Sequence, residues 1–435
     1  MPAKFTEQLN RKADAFETYH SEGTSLSVQF ENDRLMEIRQ GESSGVGIRA
    51  VKHGKIGFSY SSKKDEIEEV ADSALRLAPF GKPYRFEFAR PAQNAATLPF
   101  DDRCGTLSVE KMVQLGNRIK DVIKSVDAQA MAECSLSGGL GRSRIVTSGG
   151  QECIQKASQF GWSASAKFSE EGNFLYTYKY RSAPALIDEA EILAGAKEAV
   201  EELVIARKVV PFSPGSFPVL FSPAAFSDIL TPIGVSINGI NIARKTSSFV
   251  EKMGEKLFDE RLTLTDDPVH AQGCAGSLYD GEGIVTQKRA LVDRGVLRGF
   301  IHTLSTAQEC GHSPTGNASR SVSSQPVPGT HNVVMEAGPD EKAELMRKSE
   351  GGLYITQLLG TFTSNFLAGQ VSGNISLGFL VKDGRPAGRV KNCAFNVNAF
   401  DVLNSRIIGI SKQRQWVGSE YLPWVLIDGV QISAR

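Results

Sequence analysis

Three residues of metal-binding type fall within one short stretch, His302, Cys310 and His312, and His331 follows further on. A thiol and an imidazole separated by one residue, as in Cys310-Gly311-His312, can share a zinc ion with a third donor. The same run passes straight into Ser313-Pro314-Thr315-Gly316, a loop-like sequence, so a loop or interface role without metal is the expected reading and a metal site the alternative. The other cysteines, Cys104, Cys134, Cys153, Cys274 and Cys393, form no CxxC pair and suit neither a zinc knuckle nor a disulfide framework. His20, His53 and His270 stand in polar or turn contexts and carry no expected chemistry.

A serine nucleophile on a G-x-S-x-G elbow is absent, since Asn374-Ile375-Ser376-Leu377-Gly378 lacks the first glycine. A Ser or Cys served by one of the six scattered histidines stays as an alternative. Gly138-Gly139-Leu140-Gly141 and Gly149-Gly150 lack the Lys-Ser/Thr of a phosphate loop and the dinucleotide fingerprint, and read as turns. Glu336, Asp340, Glu341 and Glu344 read as the solvated acidic face of a short helix.

The bulk properties limit the classes of partner. Lys plus Arg equals Asp plus Glu at 49 each, which argues against a constitutive nucleic-acid binder. The start of the chain, MPAKFTEQLNRKADAFE, has no apolar core of a secretory signal, and no apolar run approaches the roughly 18 residues of a membrane helix. A cytoplasmic chain with no membrane contact is expected. At 435 residues there is room for two or three cores of ordinary size.

Residues 1–212 read as two rounds of helix, strands and helix, with units of about 1–100 and 101–212, a candidate internal duplication. Phe5, Leu9, Ala13 and Phe16 mark a first amphipathic helix, and Leu26, Val28 and Phe30 alternate as a strand. Val46, Ile48 and Ala50 pair with Ile56 and Phe58 across a turn at Lys52-His53-Gly54-Lys55. Ser62 with Asp65 resembles a capping box, ahead of a face of Ile67, Val70, Ala71, Ala74, Leu75 and Ala78. The second round opens at Ser108, has strands near 132–136, 143–147 and 153–168, and closes with a helix over about 187–204. Pro211-Phe212-Ser213-Pro214-Gly215-Ser216 reads as a linker. Beyond it, 213–435 reads as a β-rich domain with hairpins turning at Asp293-Arg294-Gly295 and Asp383-Gly384 and one main helix from Ser222 to about Gly234. The fold class is α+β: an N-terminal helix and antiparallel-sheet domain, then a β-rich C-terminal domain carrying one packed helix.

That helix opens the segment FSDILTPIGVSINGINIARKTSSF, Phe226 to Phe249. Ser222 is a good N-cap and Pro223 suits the first helical position. On its own the segment is an ordinary apolar helix followed by a Gly/Asn-rich turn. With its Arg244-Lys245 pair, with GVGIRAVKHGKIGFSYSS (Gly45 to Ser62), with SPTGNASRS (Ser313 to Ser321) and with LYITQLLGTFTSNFLAGQVSGNISLGFLVKDG (Leu353 to Gly384), it resembles the TldD/PmbA (TldE) family, often called modulators of DNA gyrase. The resemblance runs from about residue 24 to the C-terminal end.

The resemblance implies a two-component zinc metalloprotease. TldD-type members carry HExxxH just ahead of the Arg-Lys pair and a cysteine in a C-terminal CGKxGQ run. Here Thr231, Pro232 and Ser236 stand where His, Glu and His would, and Ile410 stands for the cysteine. A catalytic zinc needs three protein ligands and a carboxylate to take the proton, so no catalytic residue and no metal or other cofactor bound by this chain is expected, the zinc being expected in the partner. The resemblance places this chain on the PmbA/TldE side, as a subunit whose TldD-like partner carries the zinc in a heterodimer. It also implies unfolded peptides as substrate, held largely through backbone pairing with strand edges. A homodimer in isolation is allowed. The alternatives are a homo-oligomeric peptide-binding scaffold with no protease partner, and a hydrolase with a hidden Ser or Cys nucleophile.

Overall fold

Two runs of the same element order build the N-terminal half of the computed structural model, which describes residues 3–170 and 173–434. The first is α1 (Ala3–Lys12), β1 (Ala15–Glu31), β2 (Arg34–Lys52), β3 (Lys55–Ser61) and α2 (Ile67–Leu77). The second is α3 (Val109–Val126), β4 (Met131–Thr147), β5 (Glu152–Glu170), β6 (Asn173–Ala183) and α4 (Glu189–Arg207). Each contributes three consecutive antiparallel strands, and the sets join through β1 and β4 into one sheet ordered β3-β2-β1-β4-β5-β6. Ser108 caps α3 by accepting from Lys111 N, as the sequence suggests.

Several local expectations are corrected. The first helix ends at Lys12, and Phe16 is a buried residue of β1. Ser61, not Ser62, serves the start of α2: its hydroxyl lies 2.6 Å from Glu66 Oε2 and accepts from Lys63 N at 3.0 Å. Gly138 to Gly141 is no turn but the middle of β4, threaded between β1 and β5. A Cβ on Gly139 would stand 2.1 Å from Thr24 O. Gly139→Ala is therefore expected to destabilise the protein by about 1–3 kcal/mol, seen as a lower denaturation midpoint; an unchanged midpoint would mean the strands can part.

The second half begins with β7 (Gly215–Phe221), α5 (Pro223–Ser236) and α6 (Gly239–Ala243). There follow β8 (Leu264–Asp266), β9 (Arg289–Asp293), β10 (Val296–Leu297), α7 (Leu304–Cys310), β11 (Ala318–Ser319), β12 (Val327–Pro328), β13 (Val333–Met335) and α8 (Lys342–Lys348). The last elements are β14 (Leu353–Leu359), β15 (Gln370–Lys382), β16 (Arg385–Arg389), β17 (Cys393–Asn398), α9 (Ala399–Ser405), β18 (Ile407–Val417) and β19 (Glu420–Ala434). β7 pairs in parallel with β14 and antiparallel with β19, so β7-β14-β15-β17-β19 closes on itself. Arg294-Gly295 and Asp383-Gly384 form two-residue turns with positive φ at both positions, as does His53-Gly54 in the first half. Of the acidic residues expected on one short helix, only Glu344 lies within α8. Asp340 and Glu341 precede it and pair with Lys348 at 2.9 Å and Lys412 at 3.0 Å.

Strand alternation divides the packing between two layers. Val219, Phe221, Val425 and Ile427 share a core with Phe226, Ile229 and Ile233 of α5. Leu220, Trp424 and Leu426, on the opposite face, share one with Ile119 of α3 and Ile192 and Leu203 of α4. Apolar packing thus runs continuously across the Pro211 to Ser216 linker. A second join is ionic and fully buried. Glu17 of β1 takes two hydrogen bonds from Arg49 of β2, at 3.0 and 2.6 Å, and one from Arg320 of the C-terminal half. Arg49 also meets Glu282 at 2.8 Å, and Glu282 accepts from Leu304 N at 2.7 Å. No helix among the described residues is long and apolar enough to cross a membrane.

Candidate functional site

α5 is the main helix of the C-terminal half, and its two sides differ. Ser222 Oγ accepts from Ala225 N at 3.3 Å, Pro223 follows, and Ala225, Phe226, Ile229, Leu230 and Ile233 bury one side. Ser227, Asp228 and Thr231 are half-buried on the other, and Gly234 is exposed. That spacing of three to four residues is one stripe of a helix. Pro232 lies inside the helix and removes the donor that Asp228 O would otherwise receive.

The polar stripe faces residues from three other elements. The Ser227 hydroxyl hydrogen-bonds the carboxyl of Glu420 on β19, and Thr361 donates to Asp228 Oδ1 at 3.2 Å. Burial pushes both carboxyls above their ordinary range, with Ser227 and Thr361 opposing the rise. Glu420 Oε2 is buried without a hydrogen-bond partner among the described residues. From the N-terminal half, β6 sets Tyr176, Tyr178 and Tyr180 in one row, with centroids 5.8 and 6.0 Å apart. Burial first, then Tyr178, Glu420 and Asp228, pushes the Tyr180 phenol up to about 12, so it stays a hydrogen-bond donor at neutral pH.

Tyr178 and Tyr180 continue into a cleft of about 360 Å³ between the halves, walled by Lys342, Tyr354, Trp416 and Trp424. The Lys342 ammonium stands 4.3 Å from the Trp424 ring centroid, and Trp424 Nε1 donates to Tyr354 Oη at 3.3 Å. Burial and the nearby Lys179 push the Lys342 ammonium pKa down, against Glu198 and Glu202. β6 is the last strand of its sheet, so its outer backbone groups border this region without a neighbouring strand. The cleft thus has aromatic walls, and its Tyr180 feels the two carboxyls of raised pKa, Glu420 and Asp228, beside it.

The four positions matched to a zinc site fall as follows. Thr231 lies on the polar stripe, its hydroxyl donating to Ser227 O at 3.2 Å. Pro232 has no donor atom, and Ser236 is wholly buried, its Oγ unpartnered among the described residues. Ile410 of β18 belongs to the apolar core shared with α5. The fold brings α5 and β18 together, but a hydroxyl, a proline, a core serine and an isoleucine do not fit a catalytic zinc. Of the histidine and cysteine candidates, His302, Cys310 and His312 converge, their ligand atoms all lying within 4.8 Å of one another. His331 stands apart, with Nδ1 at 3.0 Å from Asp266 Oδ2.

Asp228, Glu420, the tyrosine row, Lys342 and Trp424 were not expected from the sequence. The alternation Tyr176, Tyr178, Tyr180 is a local signal that could have shown a shared strand face. Nothing local connects Ser227 with Glu420.

Comparison with known proteins bears on the family and the fold. The family model for the PmbA/TldA metallopeptidase C-terminal domain matches residues 214–434, and that for PmbA/TldA metallopeptidase domain 1 matches residues 16–78. An uncharacterised protein of Methanocaldococcus jannaschii is 26% identical over 397 residues, 88% of each chain. A metalloprotease of Methanothermobacter thermautotrophicus is 23% identical over 406 residues, covering 88% of this chain and 85% of its own. The fold matches that of TldE from Thermococcus kodakarensis with a TM-score of 0.91 at 19% identity, over 99% of both chains. The C-terminal match alone takes in α5, β18, β19 and more than half of the sequence, and the chain belongs to the PmbA/TldA metallopeptidase family.

Proposed function

We propose that this chain is the PmbA/TldE-like, non-catalytic subunit of a two-component zinc metalloprotease whose TldD-like partner carries the zinc. The observation that carries this reading is α5: it keeps a half-buried polar stripe of Ser227, Asp228 and Thr231, yet Thr231, Pro232, Ser236 and, from β18, Ile410 cannot serve as ligands or base. Relatives named metalloprotease support the chemistry assigned to the assembly. In this reading an unfolded peptide lies along the outer edge of β6, pairing through its backbone, which tolerates many sequences. Tyr178 and Tyr180 flank it, and Ser227, Asp228 and Glu420 meet its amide groups. The balanced charge supports a protein without constitutive nucleic-acid contact.

Mixing the chain with an HExxxH-bearing homologue from the same cell tests the partnership. A mixed species of both chains is expected on size-exclusion chromatography, with peptidase activity in the fractions that hold the partner. Separate elution, with this chain a homo-oligomer indifferent to the homologue, would favour the scaffold reading instead.

A further inference from the structure

The convergence of His302, Cys310 and His312 lies outside the α5 stripe and is built with care for one imidazole. His302 is 1% exposed, at the entry to α7. Its Nδ1 lies 3.2 Å from Thr306 Oγ1, while Thr306 Oγ1 also accepts from Thr303 N at 3.0 Å. Nδ1 is engaged there, and Nε2 faces His312 Nδ1, 3.0 Å away. Gly239 makes room for the ring, since a Cβ there would stand 2.4 Å from His302 Nδ1. Thr315 fixes the backbone at the same point, accepting from His302 N at 2.7 Å.

The other two groups arrive through the end of α7. Cys310 is its last residue, Gly311 turns the chain at φ 69°, and His312 N closes the cap onto Ala307 O at 2.8 Å. His312 then stacks on Phe300 at 6.0 Å and faces His302. Cys310 Sγ lies 4.0 Å from Gly239 O. His302 is buried, Cys310 half-buried and His312 exposed, so the cluster has a fixed floor and an open mouth.

We propose that His302 Nε2, Cys310 Sγ and His312 Nδ1 form a binding site for a borderline divalent transition metal, zinc foremost, with a fourth position open to water. Two imidazoles and one thiolate are a donor set suited to such ions. Tetrahedral zinc with ordinary bond lengths separates its ligand atoms by about 3.3–3.6 Å, which rotation of the exposed His312 and of the Cys310 thiol can reach from the present spacing. Binding releases the Cys310 thiol proton to water and leaves each imidazole its one proton on the ring nitrogen away from the metal. Thr306 supports the buried ligand from behind, as such sites require. This site is independent of the missing zinc positions on α5 and β18.

The test uses the full chain, stripped with a chelator and titrated first with cobalt(II) and then with zinc(II). One cobalt per chain is expected, with the absorption of a thiolate–cobalt bond, and zinc should displace it. Cys310→Ser should abolish that absorption, and His312→Ala should weaken binding at least about tenfold; both positions are open enough to change without unfolding, which circular dichroism would verify. A wild-type titration without thiolate–cobalt absorption, or one unchanged in both variants, would overturn the site. Altering Thr231 or Ile410 should leave it untouched.

Discussion

Incubated alone with an unfolded peptide, the purified chain should leave every amide bond intact, while addition of an HExxxH-bearing homologue should bring cleavage that a chelator abolishes. The expected difference is large because proteases lower the barrier by something on the order of 8–23 kcal/mol, and a metalloprotease draws much of that from a Lewis acid and the hydroxide it generates. Thr231 and Ser236 offer neutral hydroxyls, Pro232 and Ile410 nothing. Restoring the motif on α5 with Thr231→His, Pro232→Glu and Ser236→His should not suffice, because Ile410 still supplies no third ligand. Ser236 is also wholly buried, so an imidazole there would have to displace core packing. Adding Ile410→Cys would complete the donor set on paper, with removal of Pro232 freeing the helix to widen. Strong, chelator-resistant cleavage by the pure chain would defeat this reading and point to a hidden serine or cysteine nucleophile.

The second large effect lies at the ionic join. Glu17→Ala should cost about 3–5 kcal/mol, because it strands two buried guanidinium groups, Arg49 and Arg320, against the single carboxylate of Glu282. Burial opposes the charge on Glu17, but Arg49 and Arg320 outweigh it and hold the carboxyl below its usual range. Its folded pKa is thus depressed, so its contribution is complete above the unfolded value and fades as pH falls through the folded one. Denaturant titration at neutral pH reads the full loss, and a change under about 1 kcal/mol would show that the cluster is neutral to stability.

Local chemistry was the legible part of this fold. Ser108 and Ser222 cap their helices, and the turns at His53-Gly54 and Asp383-Gly384 fall where two-residue hairpins demand positive φ. The long strands were harder, because β1 and β4 pass through stretches rich in Gly, Ser and Thr, where alternation of apolar residues stops. Pairing with neighbours on both sides keeps those stretches extended, and a single sequence does not display its neighbours. The site divides in the same way. The vacancy at Thr231 and Pro232 could be read along the helix, but the meeting of Ser227 with Glu420, or of Arg320 with Glu17 across 303 residues, belongs to tertiary structure alone. The pairing of His302 with His312 depends on a left-handed Gly311 that folds one end of a short helix back toward the other.

One strand bears on how the molecule is made. β19 pairs with β7, β13, β17 and β18, and it follows all four along the chain. As the polypeptide leaves the ribosome, β7 and α5 emerge with their closing strand still unsynthesised, and the apolar side of α5 has no finished core to enter. Contacts of such long range form late and expose sticky surface meanwhile. The N-terminal sheet, whose strand pairings are all among residues already translated, can settle first. The C-terminal half must then wait until the strand that begins at Glu420 arrives to close it.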